Sequence, residues 1–328
     1  MVAFFFLFGG KSFGFSVEDH RLITELAIEE MQACRMLPPL MHGNAAGLLV
    51  QANLREDNYI LNGIKKLFNY SHFYNPMRPL RPERHRAFHA GQAVVDYTIN
   101  ALELAASGGR QRDILENAGM ITHMIQDASS PPHALSINHG PFDGFENKVK
   151  VTREELSVTK PPCHQISLAG LQTPLQIMQA AGLAVLQQLE APVKLIIVSA
   201  GGREQRQTSE PWSNSFFSNK SLYTQKVQDF LKNFNLLQPD LETPVTDDED
   251  QPNWNKKYLA AGSYGRLSEG IVNVTLRGDN FGKTSFDLGE NKIYVDYHEY
   301  LTLRKTLMRQ SILNTQRLFL WLSLQRDD

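Results

Sequence analysis

Apolar residues recur three and four positions apart along most of the chain, and prolines and glycine pairs interrupt them, which predicts a succession of helices. The first opens with Asp19 as N-cap, carries Ile23, Leu26, Ala27, Met31 and Cys34 on one face, and ends before Pro38-Pro39. Residues 44–55 continue as helix, and the pattern breaks at Asp57. From Asn58 to Pro82 the chain is aromatic and rich in Asn and Pro, which predicts an irregular loop. Helical spacing returns over residues 84–107 (Ala87, Gly91, Val94, Leu102, Ala105) and stops at Gly108-Gly109. Ile114, Ala118, Ile121 and Ile125 mark the next helix, which Pro131 and Pro132 stop. Pro141 suits the first turn of another that runs to about residue 157. Thr173-Pro174 opens a long apolar helix reaching toward residue 200.

Beyond Gly201-Gly202 the pattern changes. Residues 201–260 are rich in Ser, Asn, Gln, Pro and Asp, with one helix expected over 221–236 and a solvated loop at Asp247-Asp248-Glu249-Asp250. Ile271–Thr275 and Lys292–Val295 alternate and fit a small β-hairpin. Residues 298–325 form a strongly amphipathic final helix (Leu301, Leu303, Leu307, Ile312, Leu318, Trp321) expected to pack back onto the others. The fold class expected is an all-α multi-helix bundle, with residues 201–296 as a loop-rich insertion before the last helix.

Candidate chemistry centres on Ala118–His133. His123 and Asp127 lie four apart on one helix face, a spacing that lets both side chains grip one metal ion, and His133 follows the prolines as a further ligand. Around this cassette stand Asn53-Leu-Arg-Glu-Asp57-Asn58, Ser71-His72-Phe-Tyr-Asn-Pro76 and Phe142-Asp-Gly-Phe-Glu146-Asn147. In this order the segments resemble the zinc-dependent phospholipase C and S1/P1 nuclease superfamily. That family carries an early His, an Asp before a His-Phe-Tyr-(Asp/Asn)-Pro segment, a His-x-x-x-Asp-x5-His cassette and a Glu opening the next helix. The match spans roughly residues 15 to 155 and is nearest to the bacterial phospholipases C.

The resemblance implies a multi-helix bundle holding three zinc ions. Asp57, His72, His123 and Asp127 would hold one, and His133 and Glu146 a second. His20 and Asp127 would hold a third, completed by the amino group and carbonyl of Phe15 as a mature N-terminus. Asp57 would also orient or deprotonate the attacking water. The implied reaction is hydrolysis of the glycerol-side phosphodiester of a phospholipid at a membrane surface, releasing diacylglycerol and a phosphorylated head group. Two features depart from the family. Phe142 stands where a His four before the Glu is usual, leaving the second ion's last ligand to His139, the preferred choice, or to Asp143. Asn58 and Asn69 stand where some phospholipases place aromatics around a choline head group.

Composition narrows the alternatives. The 328 residues are 42% hydrophobic, enough for a substantial core. The 33 Lys and Arg against 35 Asp and Glu give a net charge of −2, which argues against a broad phosphate-backbone footprint and a stable nucleic-acid partner. Two cysteines, Cys34 and Cys163, allow one disulfide at most and form no Cys-x-x-Cys pair, so zinc here would be held by imidazole and carboxylate. Met1–Phe8 is a short apolar run and Ser12-Phe-Gly14 supplies small residues, which together predict a signal segment over residues 1–14, although no Lys or Arg precedes the apolar run. The expected location is therefore secreted or periplasmic. No run of 18 apolar residues occurs, so no membrane span is expected. His85 and His89, four apart, read as solvated. The competing readings are a single-strand nuclease of the same superfamily and a non-catalytic helical protein that binds metal or lipid.

Overall fold

The computed structural model describes residues 15–56, 74, 76, 90–134, 150–189, 191–198, 205–211, 263–268, 271–275 and 292–325. Helices dominate, as the apolar spacing predicts: α1 (Val17–Ala33), α2 (Asn44–Glu56), α3 (Ala90–Ala106), α4 (Gln111–Ala128), α5 (Pro131–Ala134), α6 (Arg153–Ser157), α7 (Pro174–Leu189) and α8 (Tyr297–Leu324). The helix expected over 221–236, His85 and His89, read as solvated, and residues 1–14 lie outside the described residues.

The bundle is organised around α4, which packs against α2, α3, α7 and α8, with α8 also lying along α1 and α7. Its core joins Ile23 and Met31 of α1, Leu49 of α2, Leu115 and Ile125 of α4, Met178 and Val185 of α7, and Met308 and Phe319 of α8. Burying a Leu, Ile, Met or Phe side chain contributes about 1.5–3 kcal/mol each, and this interlocking set holds α4 on every side. At Gly119 the α4 backbone lies close against α2. A Cβ built there would lie 2.4 Å from the Ala52 Cβ and 2.9 Å from the Leu49 carbonyl oxygen.

Several boundaries differ from the sequence reading, each for a local reason. α1 is capped by Ser16, with Asp19 as the third helical residue: the Asp19 N–H donates to Ser16 Oγ at 3.2 Å, and Ser16 N–H and Oγ–H both donate to Asp19 Oδ2. This capping box satisfies two orphan donors, which a cap at Asp19 would not. The prolines after α4 do more than stop it, because Pro131 begins α5 and places His133 inside that short helical turn. The helix expected to reach residue 157 is not continuous: Lys150–Thr152 are non-helical, and Thr152 caps α6 in a second capping box with Glu155.

The largest correction concerns residues 190–211. α7 ends at Leu189 instead of reaching toward residue 200, and Pro192 starts β1 (Pro192–Val198). Proline disfavours helical backbone before it, and the following Val193-Lys-Leu-Ile-Ile-Val run is β-branched. β2 (Gln205–Pro211) then pairs antiparallel to β1 within the segment read as loop. With β3 (Ser263–Ser268), β4 (Ile271–Thr275) and β5 (Lys292–Asp296) they form one five-stranded antiparallel sheet in the order β2-β1-β5-β4-β3. The two segments expected to form a hairpin do pair, as β4 and β5, with Val272 opposite Val295. β1 follows α7 and β5 leads directly into α8, so two chain connections join sheet to bundle.

A disulfide between Cys34 and Cys163 ties the end of α1 to the segment before α7. No helix among the described residues is long and apolar enough to cross a membrane.

Candidate metal centre

The polar face of α4 is not solvated. His123, Gln126 and Asp127 are all fully buried, as are His20 on α1 and His133 on α5. Burying such groups is costly unless their hydrogen-bonding capacity is met or a cation is held among them. Ligating atoms of His20, His123 and Asp127 lie within 4.8 Å of one another.

Asp127 is the hub. His20 Nε2 lies 3.2 Å from Asp127 Oδ1, and His123 Nε2 lies 3.3 Å from Oδ2. His133 Nδ1 stands 3.8 Å from the same Oδ2. The two oxygens thus face different imidazoles, the arrangement a carboxylate needs to bridge two ions. Donors bound to one tetrahedral zinc at about 2.1 Å each are about 3.4 Å apart, so both nitrogen–oxygen separations fit an ion seated between them. The His20 and His123 rings are stacked, with centroids 4.2 Å apart and planes at 21°.

The far side of each ring is held by an amide. His20 Nδ1 lies 2.7 Å from Gln126 Oε1, and His123 Nδ1 lies 3.1 Å from Asn53 Oδ1. Asn53 Nδ2 donates to Thr24 Oγ1 and to Gln126 Oε1, while Gln126 Nε2 donates to Thr24 Oγ1 and Thr315 Oγ1. Partners on the remote ring nitrogen orient ligating imidazoles and raise their basicity.

Phe15 is buried beside the cluster, its ring edge-on to His20 at 6.2 Å. The guanidinium of buried Arg304 lies 5.9 Å from the Phe15 ring and donates to Asp19 Oδ2 at 2.6 Å. α8 thereby pins the start of α1, from which His20 projects. Tyr74 and Pro76 are held on the other side. Tyr74 N–H donates to the His133 carbonyl at 3.2 Å, and the Gln179 amide donates to the Pro76 carbonyl. Gly182 of α7 lets this segment in, since a Cβ there would meet Pro76 Cβ at 2.9 Å. Burial pushes the pKa of the Tyr74 phenol well above its ordinary 10.0 and keeps it neutral.

Of the residues singled out from sequence, Phe15, His20, His123, Asp127 and His133 are brought together. Asp57, His72, His139, Asp143 and Glu146 lie outside the described residues. Sequence reasoning passed over Thr24, Asn53, Gln126 and Thr315. Their signal was present: Asn53 follows Leu49 by four and Thr315 follows Ile312 by three, so each is a polar residue in an apolar stripe. Comparison of the chain with protein-family models, with curated proteins and with solved structures gives no match.

Proposed function

We propose that this chain is a zinc-dependent phosphoric diester hydrolase of the phospholipase C type, cleaving the glycerol-side ester of phospholipids at a membrane surface. The observation that supports it best is the fully buried group of His20, His123 and Asp127, in which each carboxylate oxygen faces a different imidazole. Zinc bound there would neutralise phosphate charge and provide an activated water at neutral pH. The donors are nitrogen and oxygen, the set that suits catalytic zinc, and the bridging position of Asp127 favours more than one ion.

The chain's own groups take the following parts. His20, His123 and His133 would hold zinc through ring nitrogens and Asp127 through its carboxylate. Asp57 directly follows Glu56, the last residue of α2, and orients or deprotonates the attacking water. His72 is two residues before Tyr74, a span of at most about 7 Å, and Tyr74 is bonded to His133. Glu146, with His139 or Asp143, would complete the ligand set of a second ion. Cleavage after Gly14 would expose the Phe15 amine and carbonyl as donors for the third. The Cys34–Cys163 disulfide supports an exported enzyme, because such bonds persist in oxidising compartments.

The test is an assay of the exported protein on phosphatidylcholine vesicles, phosphatidylglycerol vesicles and single-stranded DNA, with and without chelator, alongside zinc analysis. Diacylglycerol release that chelator abolishes and zinc restores is expected, with Asp57→Asn lowering turnover at least about a hundredfold. Cleavage of DNA without diacylglycerol release would replace the reading by the nuclease one, and zinc uptake without either activity would leave a metal-binding protein.

A further inference from the structure

We infer that Asn53 and Gln126 are positioning residues that fix the tautomer of the His20 and His123 imidazoles, so that their two Nε2 lone pairs are aimed at Asp127 before any metal arrives. The inference rests on the zinc reading above and adds how the receptor is set.

Thr24 Oγ–H has one hydrogen, and it is donated to the His20 carbonyl at 2.8 Å. Toward its other neighbours the Thr24 oxygen therefore accepts, from Asn53 Nδ2 at 2.6 Å and Gln126 Nε2 at 2.9 Å. That fixes the orientation of both amides. The second Gln126 Nε2 hydrogen goes to Thr315 Oγ1 at 3.2 Å, and the second Asn53 Nδ2 hydrogen to Gln126 Oε1 at 3.0 Å. Flipping Asn53 would set oxygen against oxygen between the two side chains, and flipping Gln126 would set nitrogen against nitrogen.

The carbonyl ends are thus the ends that meet the imidazoles. A carbonyl oxygen only accepts, so His20 Nδ1 and His123 Nδ1 must each carry a hydrogen. In the neutral rings the lone pairs then sit on Nε2, facing Asp127 oxygens at 3.2 and 3.3 Å. Lone pair against carboxylate is repulsive, and a bound divalent cation would relieve that repulsion. Asn53 also couples the two sites, since its oxygen serves His123 while its nitrogen serves the acceptor of His20.

The experiment is nitrogen-15 NMR of the histidine rings in the metal-free, full-length protein at about pH 8.5, two units above the ordinary imidazole pKa. Zinc affinity is measured in parallel by chelator competition. His20 and His123 are expected in the Nδ1–H form. Gln126→Met removes the acceptor and should release His20 into the Nε2–H form with zinc affinity lowered at least about tenfold. Gln126→Glu keeps an acceptor at that place and should preserve both the tautomer and zinc binding. An Nε2–H signal from either ring in the wild-type protein overturns the inference and needs no variant. So does a folded Gln126→Met protein with unchanged tautomer and affinity, or a Gln126→Glu protein that loses both. Wild-type rings in the Nδ1–H form in a protein that takes up no zinc would refute the zinc reading and leave the tautomer assignment standing.

Discussion

At position 119 a hydrogen replaces a side chain, and the separation of α2 and α4 depends on it. A methyl group there would sit 2.4 Å from the Ala52 Cβ and 2.8 Å from the Asn53 nitrogen, and both neighbours belong to a helix that cannot yield locally. One turn further along α4 comes His123, whose Nδ1 lies 3.1 Å from Asn53 Oδ1. Gly119→Ala should therefore destabilise the protein by about 1–3 kcal/mol through overpacking, even though alanine favours helix over glycine by about 1 kcal/mol. It should weaken zinc binding as well, because α2 carries Asn53 away when it moves. Denaturant midpoints and chelator competition measure the two effects; an unchanged midpoint would show that the helices have room to adjust.

Among elements, the pairing of α8 with the start of α1 bears most on the site. Arg304 comes from near the first third of a 28-residue helix and is fully buried, yet it reaches Asp19, the residue beside His20. The same Asp19 oxygen closes the capping box with Ser16. One carboxylate thus serves helix initiation and interhelix attachment together. Replacing Arg304 by Met keeps volume but strands a buried carboxylate, and breaking such a pair typically costs about 3–5 kcal/mol. Thermal unfolding of Arg304→Met should show a loss of that order. A loss below about 1 kcal/mol would mean that the Ser16 donors alone satisfy Asp19.

At the scale of the whole molecule, the Cys34–Cys163 bond spans 129 residues, and within that span lie α2 to α6 and two of the three cluster histidines. In the chain-entropy picture a loop of this length restricts the unfolded chain by about 5 kcal/mol. Measured losses on removing native disulfides run about 2–5 kcal/mol. Cys34→Ser with Cys163→Ser, or reduction of the native protein, should lower stability within that range while leaving the α1–α4 ligand geometry in place, since that rests on core packing and the amide network. Loss of zinc binding in a protein that remains folded would show instead that the disulfide positions α1.

The sequence by itself determined the helices, because the spacing of apolar residues and the positions of Pro and Gly are local facts: Asn44–Glu56, the end of α3 at Gly108-Gly109, and the final helix were all legible to within a residue or two. It also placed His123 and Asp127 on one face, since a His and an Asp four apart share a face whatever surrounds the helix. Local signals misled where two of them competed. Ser16 won the cap from Asp19 because the box uses both, and Pro192 with a β-branched run turned an apolar stretch from helix to strand. Only the tertiary structure decided that the polar face of α4 is buried, and that His20, more than a hundred residues away, stacks on His123. It alone turned Thr24, Asn53, Gln126 and Thr315 into one network, because donors and acceptors are matched across four helices. Spacing along a chain fixes which residues share a face, but what that face meets is set by packing.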